Sequence, residues 1–302
     1  MLPLHNIKTF RWPCWLDFSN TYLEIDMIKT VNHIVINTLL SMAILLPGIA
    51  SAEYIFTAPP RETKEAGEKV YGPLAKHLTA LLNEKVSYQH PGNWRKYKKE
   101  MQKGSYDIVF DGPHFAAWRL EKQQALPVVK LPGKLTFVLV TRKELKITDK
   151  KQLVGRKVCS LPSPNLGAMT VYSMYPNQMS QPKFTFVKGG MAKVADHVNK
   201  GKCDAAILRK GYFSKKMSQA MRDNLKVVAV SQAYVNQGVT LNARIPADKR
   251  KLIIESLTTG EGKKAALPLL NRFSSGAQSF VATNKKEYSE LNLLKKNNMF
   301  GW

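Results

Sequence analysis

From Tyr54 to Leu208 the chain alternates short apolar runs with segments of helical period, and it does so twice, on either side of a charged stretch from Thr141 to Lys151. Such alternation leaves few architectures open. Each helix must cross between neighbouring strands, so the pattern predicts α/β lobes built on mostly parallel sheets.

In the first half, Tyr54–Ala58 reads as a buried strand ended by Pro59-Pro60-Arg61. The next helix has Val70, Leu74, Leu78, Leu81 and Leu82 on one face, with Pro73 expected in its opening turn. Val86–Tyr88 is a second strand. Trp94, Tyr97 and Met101 mark a helix that starts after Asn93 and stops at Gly104, and Asp107–Phe110 is a third strand, broken at Asp111-Gly112-Pro113. Leu135–Val140 is a long apolar strand.

Past Lys151 the pattern restarts. Arg156–Leu161 is a strand leading into the Pro162–Gly167 loop, Ala168–Tyr175 a helix, and Lys183–Lys188 a strand. Met191, Val194, Ala195 and Val198 share a helix face, and Asp204–Leu208 is a further buried strand. Lys226–Val230 is expected to lead back, with Val239–Asn242 returning as a strand to the first lobe. Ala247–Gly260 and Lys285–Asn297 are expected to pack on that lobe as helices. The expected architecture is two lobes joined by two crossing strands, residues 53–140 plus 236–302 forming lobe 1 and residues 141–235 lobe 2. Ligands of such sheets sit at the carboxyl ends of the strands.

Ahead of the alternation, Lys29 and His33 precede the apolar run Ile44-Leu45-Leu46 and the small-x-small pattern Ala50-Ser51-Ala52. Residues 27–52 therefore read as a cleaved secretory signal peptide, with the mature chain starting near Glu53. Residues 1–26 read as an upstream extension outside the native protein. Glu53 stands where a lipoprotein needs Cys, and no later stretch approaches the roughly 18 consecutive apolar residues of a membrane helix. A soluble periplasmic protein without stable membrane insertion is expected.

The net charge of +24 favours acidic partners. Its lysines are scattered as pairs, Lys98-Lys99, Lys215-Lys216 and Lys285-Lys286, with no arginine-rich block, zinc-finger or RNA-binding signature. A solvated basic surface, rather than a nucleic-acid interface, is expected. With Cys14 in the upstream extension, Cys159 and Cys203 remain as a pair in an oxidising compartment, where a disulfide is expected and two buried free thiols are the alternative. Neither has a His or carboxylate at metal-ligand spacing, so no metal or other cofactor is expected.

The Tyr54-Ile55-Phe56 strand, the Tyr71-Gly72-Pro73-Leu74 helix and Gly104-x-Tyr106-Asp107-Ile108-Val109-Phe110-x-Gly112-Pro113 follow one another in the first half. Leu153-Val154-Gly155-Arg156-Lys157-Val158 and Gly201-x-x-Asp204-Ala205-Ala206 continue the series. In this order they resemble the phosphonate-binding (PhnD-like) periplasmic substrate-binding proteins of ABC transporters. The resemblance implies a type II periplasmic-binding fold, closure of a hinge over a small ligand, and delivery to an importer.

It also implies a cleft role for Trp94. Asp111 stands where phosphonate binders have a Tyr. Pro164-Asn165-Leu166-Gly167 replaces their Ser-Thr-Ser-Gly turn, leaving Asn165 and the amides of Leu166 and Gly167 for an anion, and Met191 replaces a His. Two ligand classes fit these departures: an oxyanion held by Arg61, Lys188 or Arg209, or a larger or cationic molecule with Asp111 as counter-charge and Trp94 as a stacking surface. Gly112, Pro113 and His114 complete the expected ligand-binding set.

The expected partner is an ABC permease or the periplasmic domain of a sensor kinase, and the expected state a monomer. A basic polyanion-binding surface protein is a further alternative. Of His77, His90, His114 and His197 only His114 falls in a cleft loop, and no nucleophile accompanies it, so no enzyme is expected.

Overall fold

The computed structural model describes residues 53–274, 276–289 and 291. The expected signal peptide and upstream extension, and the end of the helix read to Asn297, lie outside these residues. The chain runs β1 (Tyr54–Thr57), α1 (Lys64–Leu82), β2 (Val86–Tyr88), α2 (Trp94–Lys103), β3 (Ile108–Asp111), α3 (Pro113–Gln123), β4 (Leu126–Lys130), β5 (Lys134–Leu135) and β6 (Phe137–Arg142). It continues through β7 (Lys157–Ser160), α4 (Leu166–Met174), β8 (Lys183–Phe186), α5 (Met191–Asn199), β9 (Ala205–Arg209), α6 (Lys210–Lys215) and α7 (Gln219–Asp223). Then come β10 (Leu225–Val230), β11 (Tyr234–Val235), β12 (Gly238–Leu241), α8 (Ala247–Thr258), α9 (Gly262–Phe273), β13 (Val281–Ala282) and α10 (Lys285–Ser289).

Local chemistry sets most of these boundaries. Asn93 caps α2, its Oδ1 accepting the Lys96 N–H at 2.9 Å, and Gly104 ends the helix at φ 75°, a left-handed conformation that suits glycine. Thr63 caps α1, its hydroxyl accepting from the Ala66 N–H at 3.3 Å. That cap starts the helix well before Pro73, which lies in its interior instead of the opening turn. The missing N–H of Pro73 is tolerated because Tyr71, Leu74 and Leu78 press the helix into the core.

The first sheet has the order β13-β4-β12-β3-β1-β2, and the second β10-β6-β9-β7-β8. β1 is parallel to β2 and β3, and β7 is parallel to β8 and β9. Antiparallel β12 stands between β3 and β4, and antiparallel β6 stands between β9 and β10. The two sheets thus share one plan. A short ribbon of β5 with β11 links them.

The apolar run Leu135–Val140, read as belonging to the first lobe, divides at Thr136. Its longer part, β6, lies inside the second sheet with Phe137, Val138, Leu139 and Val140 all buried. An unbroken apolar run marks burial on both faces but not which sheet provides it. Lys226–Val230, expected to lead back, is instead the edge strand β10 paired with β6. Val239–Asn242, read as the returning strand, is β12 in the first sheet. Helices α3 and α9 had no counterpart in the sequence reading.

Phe56, Tyr71, Leu74, Phe110 and Val239 centre the core of the first sheet, and Val140, Val194, Ala206 and Leu208 one core of the second. A disulfide joins Cys159 on β7 to Cys203 just before β9, with Cα atoms 5.7 Å apart. Among the described residues no helix is long and apolar enough to cross a membrane, and no cluster of His, Cys, Asp and Glu could hold a metal ion.

Candidate functional site

The shared plan brings the carboxyl ends of β1, β3, β7 and β9 to carry the loops with the expected site residues. After β1 comes Arg61, after β3 Gly112-Pro113-His114, after β7 the Pro162–Gly167 loop, and β9 ends on Arg209.

Asp111 closes β3 and is completely buried. Arg119 on α3 holds both carboxylate oxygens, Nη1 donating to Oδ2 at 2.7 Å and Nη2 to Oδ1 at 2.9 Å. The Tyr97 hydroxyl donates to the same Oδ2 at 2.7 Å, and Arg119 also donates through Nη2 to the Thr240 hydroxyl at 2.6 Å. Burial works against the Arg119 charge, but Asp111 and Tyr97 outweigh it and hold the guanidinium above its ordinary range. Burial, then Asp111, push the Tyr97 hydroxyl well up. The counter-charge expected of Asp111 toward a cation is thus engaged inside the protein.

Gly112 caps α3 and Pro113 opens it, a position where its missing N–H costs nothing. The His114 ring folds back over Gly112 and lies 4.2 Å from the Phe115 ring, centre to centre. Burial first, then repulsion from Arg61, bring its pKa down to about 3, so the ring is neutral; the nearby Pro164 carbonyl opposes the shift. Pro164 follows β7, so His114 ties a loop of the first sheet to one of the second. Trp94 starts α2 with its ring stacked 6.2 Å from Phe115, and at 43% exposure it is the solvent-facing member of this aromatic group.

Three guanidinium groups gather here. Arg61 and Arg272 lie 5.3 and 4.9 Å from the centre of the Phe273 ring, and Arg61 Nη1 is buried without a hydrogen-bond partner. Arg272 reaches Glu62 at 3.1 Å, and Glu62 also accepts from the Tyr71 hydroxyl at 3.2 Å. Arg209 comes from the second sheet and has neither ion pair nor side-chain hydrogen bond among the described residues. Burial, then the Arg61 and Arg272 charges, lower its pKa to about 10. Gln237, between β11 and β12, is 1% exposed with both side-chain polar atoms unpartnered. One residue on, Gly238 pairs with Asp111, so Gln237 follows the line of β12 past the end of β3.

On the second sheet Asn165 caps α4, its Oδ1 accepting the Gly167 N–H at 2.8 Å. That bond consumes the Gly167 amide expected to serve an anion. Leu166 N–H stays at the helix start, where no intrahelical acceptor exists, while the Leu166 side chain is buried. Lys188 is exposed beyond β8 and makes no hydrogen bond or ion pair among the described residues. A cavity of about 500 Å³ lies elsewhere, between β4 and α8, and none of these residues lines it.

The structure therefore brings Arg61, His114, Arg209 and the Pro164 loop together, sets Trp94 at the edge through Phe115, and leaves Lys188 apart. The sequence reading missed Glu62, Arg272 and Gln237. Arg272 rides on α9, whose Gly262 start and internal Pro268 obscure the helical period, and Gln237 lies in a crossing segment with no periodicity at all.

Residues 56–288 match the family model described as the phosphonate periplasmic substrate-binding protein of ABC transporters. No curated protein sequence matches the chain. Among solved structures, PhnD1 of Prochlorococcus marinus in complex with methylphosphonate superposes with a TM-score of 0.63 at 17% identity, covering 82% of this chain and 99% of that one. A Xanthomonas citri protein bound to ATP gives 0.66 at 14% identity over 81% and 95%. A binding-protein component of an ABC phosphonate transporter from Pseudomonas aeruginosa gives 0.56 at 11% identity over 79% and 83%.

Proposed function

The chain belongs to the phosphonate-binding family of periplasmic substrate-binding proteins of ABC transporters and has their type II fold, and on that premise we propose that it captures a small oxyanion between its two sheets by hinge closure. One observation carries this reading: Arg61 and Arg209 reach the site from opposite sheets, and neither guanidinium meets a carboxylate among the described residues. Uncancelled buried charge is costly, and a bound anion removes the cost. The Leu166 amide at the start of α4, the neutral His114 ring and the Gln237 carboxamide supply directed hydrogen bonds, and Trp94 flanks the entrance.

In this reading the molecule moves as two lobes, with the first sheet and its helices on one side, the second sheet on the other, and the β5–β11 ribbon as the hinge. An anion held by Arg61 makes contacts to Arg209 only in the closed form, and that difference in affinity drives closure. The closed monomer then presents itself to its importer. Export by a signal peptide within residues 27–52 accords with the family's periplasmic place.

The test is the ligand-induced rise in melting temperature with methylphosphonate, phosphate and sulfate. The wild-type protein shifts with at least one of them, Arg209→Gln and Trp94→Ala reduce the shift, and Lys188→Gln leaves it in place. A shift that survives Arg209→Gln unchanged refutes the site.

A further inference from the structure

We propose that this site selects a doubly charged oxyanion carrying no cationic group, and that it takes weakly acidic ligands in their fully ionised form. The inference rests on the oxyanion reading above and adds the charge state of the ligand.

Charge counting around the site is the starting point. Arg61, Arg209 and Arg272 contribute three positive charges, and Glu62, bound to Arg272 at 3.1 Å, cancels one. Arg119 and Asp111 cancel each other at 2.7 Å. His114 is neutral, Tyr71 is held protonated by burial, and His90 turns its Nε2 to the Glu62 carbonyl at 3.0 Å. Two positive charges stay uncancelled. A monoanion would leave one of these half-buried charges unpaired, whereas a dianion cancels both.

The acceptors complete the argument. A ligand ammonium, or the acidic proton of a singly ionised phosphonate, needs a strong acceptor. The Glu62 carboxylate is committed to the Arg272 charge at 3.1 Å and accepts the Tyr71 hydroxyl on its other oxygen, although Oε1 makes no hydrogen bond, and Asp111 is held by Arg119 and the Tyr97 hydroxyl. Among the described residues, the acceptor here that is not already paired with a charge is the neutral Gln237 Oε1, and it does not offset the desolvation of a cation, while an ammonium reaching Glu62 would have to displace Arg272.

Isothermal titration of the full chain with methylphosphonate, sulfate and 2-aminoethylphosphonate tests this across the second ionisation of methylphosphonate. Sulfate keeps both charges throughout, so its profile reports the protein's own titrating groups. Relative to sulfate, methylphosphonate affinity is expected to rise about tenfold per pH unit below that ionisation and to level off above it. The aminoethyl compound should bind at least about tenfold more weakly than methylphosphonate.

Parallel profiles for methylphosphonate and sulfate, equal affinity for the aminoethyl compound, or binding of methylphosphonate with refusal of sulfate would each overturn the selection for a dianion while leaving oxyanion capture standing. No heat with any of the three overturns capture itself, and this inference with it.

Discussion

A Cβ placed on Gly112 would stand 2.6 Å from Cε1 and 2.8 Å from Nδ1 of His114. The ring is almost wholly buried and packs on Phe115, so it cannot swing away freely. Gly112→Ala is therefore expected to drive His114 off the Pro164 carbonyl and cost about 1–3 kcal/mol, as overpacking of a filled interior does. Urea unfolding measures it, and an unchanged midpoint would show that the ring is free to move.

The Asp111–Arg119 pair lies among Tyr97, Thr240 and the end of β3 with both side chains out of water. Asp111→Asn leaves a buried guanidinium without its counter-charge and is expected to destabilise by about 3–5 kcal/mol. Combining Asp111→Leu with Arg119→Met should cost much less than the two single changes added. A double-mutant cycle in denaturant reads this coupling, and additive costs would refute it.

His114 links stability to pH. Its folded pKa, about 3, lies below the ordinary imidazole value, so the unfolded chain binds the proton first as the solution is acidified. The stability due to its neutral form is complete above the unfolded pKa and is lost as pH falls toward about 3, at a slope of at most about 1.4 kcal/mol per pH unit. His114→Gln should flatten the stability curve over that window, and an unaltered slope would remove His114 as its cause.

Reducing Cys159–Cys203 frees a loop spanning 44 residues of sequence separation. Chain-entropy reasoning puts the loss near ~4 kcal/mol, and an alanine pair at both positions should lower the unfolding midpoint accordingly. Equal midpoints with and without reductant would contradict it.

The regular elements of this fold are written in short-range chemistry. The caps at Asn93 and Gly104, the apolar run of β1 and the restart after Lys151 depend on neighbours in sequence, and all can be read there. Sheet membership cannot. β6 is apolar on both faces wherever it lies, and only its pairing with Ala205–Arg209 places it in the second sheet. The site divides similarly: Arg61, His114 and Arg209 follow strand ends, where position itself is the signal. The engagement of Asp111 depends on Arg119, one helix away on α3, and the company of Arg61 depends on Arg272, more than two hundred residues later. No local pattern announces either contact.

The strand that seals the first sheet has a consequence for how the molecule comes into being. β12 fills the gap between β3 and β4, pairing Val239 with Phe110 on one side and Val129 on the other. Synthesis delivers it only after the entire second sheet has been made. The opening half of the polypeptide therefore cannot complete its own sheet until the other sheet's strands are available, which makes the closing of the first sheet a late event in the life of the nascent chain.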